Sequence, residues 1–124
     1  MTTVYTKDHE WMRVEGEKGI VGITDFAQSQ LGEIVYAELP EIGAQFSEGD
    51  VVAVVESVKA ASEIYTPVKG SIIECNSFLI EQPNLLNTAP TGDGWIFKVL
   101  LSNSVKLDNL MTENGYQEYI QELG

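Results

Sequence analysis

Two short runs rich in β-branched residues, Val51 to Val55 and Ser62 to Val68, constrain this chain more than any other feature. The first is apolar throughout and is entered through Gly49-Asp50; the second closes at Pro67 and Gly70. Runs this short, bounded by turn residues, read as strands and not as helices. Between them lies Glu56-Ser57-Val58-Lys59-Ala60-Ala61, whose mostly small side chains suit a tight turn. The pattern predicts a hairpin with a buried Val51 strand and with Lys59 pushed outward at the tip. A lysine presented in this way, with little bulk beside it, is what an enzyme that modifies one lysine and ignores the rest requires. A long group attached there could swing while its base stayed fixed.

The same punctuation continues along the chain. Thr3 to Val14 reads as one strand carrying His9, Glu10 and Trp11, and Gly16-Glu-Lys-Gly19 turns it into a second strand, Ile20 to Ile23. Thr24 and Asp25 supply N-cap oxygens and Gly32 a stop, which predicts a helix over Asp25 to Leu31 with Phe26, Ala27 and Leu31 turned inward. Glu33 to Leu39 alternates as a strand, with Ile34 and Tyr36 against Val35 and Ala37, and ends at Pro40. Short strands follow at Ala44 to Phe46 and at Ser71 to Asn76. Pro83 suits the first position of a single helical turn within Glu81 to Asn87. Gly94 to Leu101 alternates as a last strand. Ser104 is placed to cap a short helix bearing Leu107, Leu110 and Met111. Thr112 to Leu123 has Tyr116, Tyr119, Ile120 and Leu123 at helical spacing, a stripe that predicts packing on the body of the protein.

At 124 residues the chain suits one domain, 1–124, with a modest core. Nineteen acidic against seven basic side chains leave a formal charge of −12, a field that repels phosphate backbones and anionic lipid. Nucleic-acid and membrane partners are therefore not expected, and the same field favours a soluble monomer. The N-terminal residues lack a signal-peptide core and an Arg- and Ser-rich transit pattern, which predicts a cytoplasmic, prokaryotic setting. A mitochondrial one would require that a transit peptide had been removed.

One histidine, His9, and one cysteine, Cys75, cannot make a zinc site of three or four ligands. There is no P-loop, no dinucleotide fingerprint and no Gly-x-Ser-x-Gly elbow. Cys75 sits in a strand-like alternation that predicts structural burial, and an enzyme built on it is the least supported reading. Disulfide chemistry here would need sulfurs brought by a cofactor.

Glu56-Ser57-Val58-Lys59-Ala60 resembles the lipoylation motif of the glycine cleavage H proteins. So do Tyr5-Thr-Lys-Asp-His-Glu-Trp11, Gly22-Ile-Thr-Asp25, Ala27-Gln28, Leu31-Gly-Glu33, Glu38-Leu-Pro40 and Gly94-Trp95, in order and at that family's spacing. The resemblance covers nearly the whole chain. It implies a mainly β, barrel-sandwich hybrid fold like that of lipoyl and biotinyl domains, with a core over about 20–101, short flanking helices and a C-terminal helical segment over about 104–123.

The resemblance also implies a non-enzymatic carrier with lipoate in amide linkage to Lys59. The arm would shuttle the aminomethyl group of glycine from a pyridoxal-phosphate-dependent glycine decarboxylase to a tetrahydrofolate-dependent aminomethyltransferase. Dihydrolipoyl dehydrogenase would then reoxidise it, with NAD as electron acceptor. Glu56, Ser57 and Ala60 match positions that would serve recognition by lipoylating enzymes. Glu10 and Glu63 match positions where a carboxylate would meet the loaded arm. Pro90-Thr91-Gly92 departs from the Pro-Tyr-Gly of many members, which bears on the packing of that loop. Two other carriers use a lysine in such a turn. A relay protein that donates lipoyl groups to other acceptors would use the same Lys59. A biotin carrier usually has methionines flanking its lysine, and Val58 and Ala60 stand there instead.

Overall fold

A computed structural model describes residues 2–101, 107 and 110–123. Its strands are β1 (Thr2–Tyr5), β2 (Glu10–Glu15), β3 (Lys18–Ile23), β4 (Ile34–Glu38), β5 (Gln45–Phe46), β6 (Val51–Ser57), β7 (Ala61–Tyr65), β8 (Gly70–Cys75) and β9 (Phe97–Leu101). Its helices are α1 (Asp25–Leu31), α2 (Phe78–Glu81), α3 (Leu85–Thr88) and α4 (Glu113–Leu123). Two antiparallel sheets form, one in the order β1-β2-β3-β9-β8-β5 and the other in the order β4-β6-β7. Their inner faces share one core, in which Met12, Val21, Ile72, Phe97 and Val99 of the larger sheet join Ile34, Val55 and Ile64 of the smaller. The mainly β, barrel-sandwich expectation holds.

Several boundaries differ from the sequence reading, each for a local reason. Thr3 to Val14 is not one strand: it folds back on itself between β1 and β2, pairing Tyr5 with Trp11. The turn needs no glycine, because the Thr6 hydroxyl accepts the amides of Asp8 and Glu10 at 3.2 Å and His9 takes a left-handed φ of 67°. In β4 the expected alternation is broken by a bulge between Ile34 and Tyr36. Ile34 and Ala37 therefore face the core, while Val35 and Tyr36 are about half exposed, at 48% and 50%. A second irregularity between Val51 and Ala53 buries Val52 and Ala53 and leaves Val51 exposed. The stretch after β8 contains two helical turns, α2 and α3, and Pro83 precedes Asn84, the cap of α3, instead of opening the helix.

Helix α1 begins and ends as its caps predict. Thr24 Oγ1 accepts from the Ala27 amide at 3.2 Å, and Gly32, at φ 81°, sends its amide back to the Gln28 carbonyl at 2.9 Å. Ala27 and Leu31 pack against the core, and Phe26 packs on the His9 ring, with centroids 4.6 Å apart. The short helix expected at Ser104 falls on residues outside those described. Met111 exchanges both backbone hydrogen bonds with Tyr5 at 2.8 Å, and Leu107 and Leu110 pack against the core.

Tyr116 anchors α4. It is buried, stacks on Tyr5 at 4.9 Å, and its hydroxyl lies 2.6 Å from Thr24 Oγ1 and 2.9 Å from His9 Nδ1. The rest of the stripe fades outward, since Tyr119 and Ile120 are half-buried and Leu123 is exposed. Tyr116→Phe removes the shared hydroxyl and is expected to lower stability by about 1–3 kcal/mol in urea denaturation. An unchanged midpoint would show that the network contributes nothing.

Candidate functional site

The hairpin tip is built by Ser57. Its amide donates to the Ala60 carbonyl at 2.8 Å, and its hydroxyl accepts from the amides of Lys59 and Ala60, each at 3.1 Å. One buried serine thus satisfies the turn's own donors and fixes the backbone of Lys59. Glu56, Val58, Lys59, Ala60 and Ala61 are exposed around it. The Glu56 side chain has no hydrogen bond or ion pair among the described residues and is free to meet another molecule.

The tip also rests on the link from α1 to β4. The Val58 amide donates to the Glu33 carbonyl at 3.0 Å, and Lys59 Nζ donates to the Gln30 carbonyl at 3.2 Å. That carbonyl belongs to the last turn of α1, where the ladder leaves acceptors free and the helix end favours a cation. Lys59 therefore points outward at its base, as expected, but its stem folds over Gly32. A Cβ at Gly32 would come to 3.1 Å of Lys59 Cε.

Glu10 lies at the other end of the β6–β7 hairpin, near Tyr65, whose strand partner is Val51. It is 1% exposed. Its Oε2 accepts from the Tyr65 amide at 2.7 Å and its Oε1 from the Thr6 hydroxyl at 3.1 Å. The first bond fills an edge position of β7 that, among the described residues, has no strand beside it. Burial pushes the Glu10 carboxyl up to about 8, against the opposing pull of those two bonds. Glu10 forms part of the wall of a cavity of about 180 Å³ with Thr6, Asp8, Glu48, Tyr65 and Leu110 among its other lining residues.

Glu63 is exposed and does not line that cavity. It stands two residues before Tyr65 on β7, and its carboxylate is the main reason the Tyr65 phenol is raised above its ordinary range. Since side chains alternate along a strand, Ala61, Glu63 and Tyr65 share one face of β7, opposite the buried Ile64. That face leads from beside Lys59 to the cavity, roughly 13 Å at ~3.3 Å per residue. Of the carboxylates singled out in the sequence, Glu10 and Glu63 thus mark successive points on one track, and Glu56 stands beside the lysine.

The His9-Glu10-Trp11 block divides into three tasks that the sequence alone does not separate. His9 packs between Phe26 and the tyrosines of α4, and burial lowers its pKa from the ordinary imidazole value. Glu10 forms part of the cavity wall. Trp11 lies flat on Gly22, where a Cβ would come within 2.7 Å of its ring, and its Nε1–H is shared between the carbonyls of Ile23 and Pro90 at 2.9 and 3.0 Å. Thr91, the departure next to Pro90, is exposed. Cys75 is half-buried, donates from Sγ to the Pro40 carbonyl at 3.0 Å, and has its thiol pKa raised by burial and by Glu74, the reverse of an activated nucleophile. Among the described residues no group of three metal-ligating side chains comes together, and no helix is long and apolar enough to cross a membrane.

Comparison with known proteins gives one answer. A family model described as Glycine cleavage H-protein matches residues 3–123. The chain is 53% identical to a glycine cleavage system H protein of Xanthobacter autotrophicus, covering 99% of both chains. It is likewise 53% identical to one from Thermoanaerobacter sp. strain X514, over 95% of this chain and 93% of that one. The fold superposes on the crystal structure of a glycine cleavage system H protein from Mycobacterium marinum with a TM-score of 0.88 at 34% identity, covering 96% of each. A Ser57-locked tip presenting Lys59 on such a scaffold, matched from end to end, places this chain in the glycine cleavage H-protein family.

Proposed function

We propose that this chain is the lipoylated carrier of the glycine cleavage system, acting with no catalytic centre of its own, and that Lys59 Nζ bears the lipoyl group. The observation that carries this reading is the exposed Lys59 on a turn whose backbone is locked by Ser57. The tip fits an amide-linked arm: Lys59 is exposed, Ala60 and Ala61 after it are small, and Gly32 leaves room for the stem. When bound, the dithiolane would supply group-carrying and redox chemistry that no side chain has, linking glycine decarboxylase, aminomethyltransferase and dihydrolipoyl dehydrogenase.

What the chain's own residues do follows from their placement. Ser57 holds the attachment point still, while Glu56 and Ala60 are the exposed features a lipoylating enzyme would read. Glu10 holds a proton on a carboxylate oxygen at neutral pH, because its wall of the cavity is desolvated. A protonated amine entering the cavity would favour the charged carboxylate and so expel that proton. Glu63, half-way along the track, offers a second carboxylate on the approach. The acidic surface, −12 in formal charge, would steer the carrier toward basic patches on its partner enzymes and keep it monomeric, in a cytoplasmic setting.

The test is reconstitution of the lipoylated chain with glycine decarboxylase, aminomethyltransferase, dihydrolipoyl dehydrogenase, tetrahydrofolate and NAD. Glycine-dependent NADH formation is the expected result. A chain that passed its lipoyl group to other acceptors but gave no NADH would instead be a relay.

A further inference from the structure

We infer that Asn87 and Gly32 are positioning residues for acylation of Lys59, Asn87 acting through the α1–β4 link on which the lysine stem lies. The inference rests on the reading of Lys59 as the modified residue.

The turn at Ser57 fixes the Lys59 backbone but not the direction of a long, flexible side chain. That direction is set by the neighbouring link, through the Glu33 and Gln30 carbonyls and the bare Cα of Gly32. Such a link, a left-handed glycine between helix and strand, has no rigidity of its own. A single side chain from α3 supplies it. Asn87 Nδ2 donates to the Gly32 carbonyl at 2.8 Å and to Gln28 Oε1 at 3.0 Å, while Asn87 Oδ1 accepts the Ile34 amide at 2.8 Å. The amide has one orientation, because both partners on the Nδ2 side are oxygens and the partner of Oδ1 is an N–H. Asn87 thus ties the link on both sides of Glu33, the residue whose carbonyl receives the Val58 amide.

Acylation needs this placement. Nζ attacks the carbonyl carbon of an enzyme-bound, activated carboxylic acid. The amide bond forms and the bond to the leaving group breaks. The ammonium gives up two protons, one before the attack and one as the amide forms. A misplacement of about 1 Å at such a centre can cost on the order of 10²-fold in rate. Gly32 adds shape: any side chain there meets Lys59 Cε and is strained by the positive φ.

The experiment measures kcat and KM for lipoylation of the intact folded chain by a lipoate–protein ligase with lipoate and ATP. It compares wild type, Asn87→Asp, Asn87→Ala, Gly32→Ala and the double variant Asn87→Ala/Gly32→Ala. Val99→Ala, a core change in the larger sheet, serves as the stability control. Each single substitution at residue 87 or 32 is expected to lower kcat/KM about tenfold or more, and the double variant to fall little below the worse single one, because both act on one link. Val99→Ala should be modified at the wild-type rate although it melts earlier. If Asn87→Ala does not fold, Asn87→Asp and Gly32→Ala decide. Wild-type kcat/KM in the folded variants, or effects that multiply in the double variant, would overturn the inference. Failure of the wild-type chain itself to accept lipoate would instead sink the assignment of Lys59.

Discussion

Glu10→Gln is expected to remove a pH-dependent loss of stability from this protein. Glu10 is buried, and its carboxyl is pushed from 4.5 up to about 8. The folded state therefore holds this proton more tightly than the unfolded chain does. The stability that follows is fully present below about pH 4.5 and is lost as pH rises through about 8. At ~1.4 kcal/mol per pKa unit, the full loss is on the order of 5 kcal/mol. Glutamine keeps the shape and, through its amide oxygen, the bond from the Tyr65 amide; it gives up the acceptor for the Thr6 hydroxyl, a constant cost at every pH, and has no proton to lose. Urea titrations of the two proteins between pH 5 and 9 should thus diverge, the variant gaining on the wild type as pH rises. A stability difference that stays constant over that range would mean that Glu10 is ionised throughout. The same variant should be lipoylated normally, since Glu10 stands at the far end of the hairpin from Lys59.

Lys59→Arg is expected to abolish carrier activity and leave the fold intact. Arginine retains a donor for the Gln30 carbonyl and a charge at the end of α1, and the position is exposed, so stability should change by less than about 0.5 kcal/mol. A guanidinium is not acylated under conditions that acylate an amine. Glycine-dependent NADH formation in the reconstituted system should therefore drop to background. Residual activity in the Arg variant would point to a second attachment lysine.

Much of this was legible in the sequence because it rests on local chemistry. Thr24 and Gly32 mark the ends of α1 through hydrogen bonds within a few residues. The β6–β7 hairpin follows from two β-branched runs and a small-residue turn. What escaped depends on groups distant in sequence. Thr6-Lys-Asp-His9 carries no glycine or proline, so the turn made by a threonine hydroxyl and a left-handed histidine was hidden inside an apparent strand. A glutamate in a strand reads as a solvated charge, and only the edge of β7, 55 residues away and paired with no other described strand, makes Glu10 a buried hydrogen-bond partner there. The bulge that turns Val35 and Tyr36 outward breaks an alternation that looked regular. Asn87 lies in a short helical turn where nothing local sets it apart; its task appears only when α3 is packed beside Gly32.

The most direct test of the central claim is the mass of the intact protein purified from its source, with peptide mapping across Lys59, repeated after incubation with a lipoylating enzyme. A single lipoyl adduct on Lys59, and on no other lysine, is the predicted result. A biotin adduct, a lipoyl group on a different lysine, or a Lys59 that stays bare in the presence of active enzyme would contradict it.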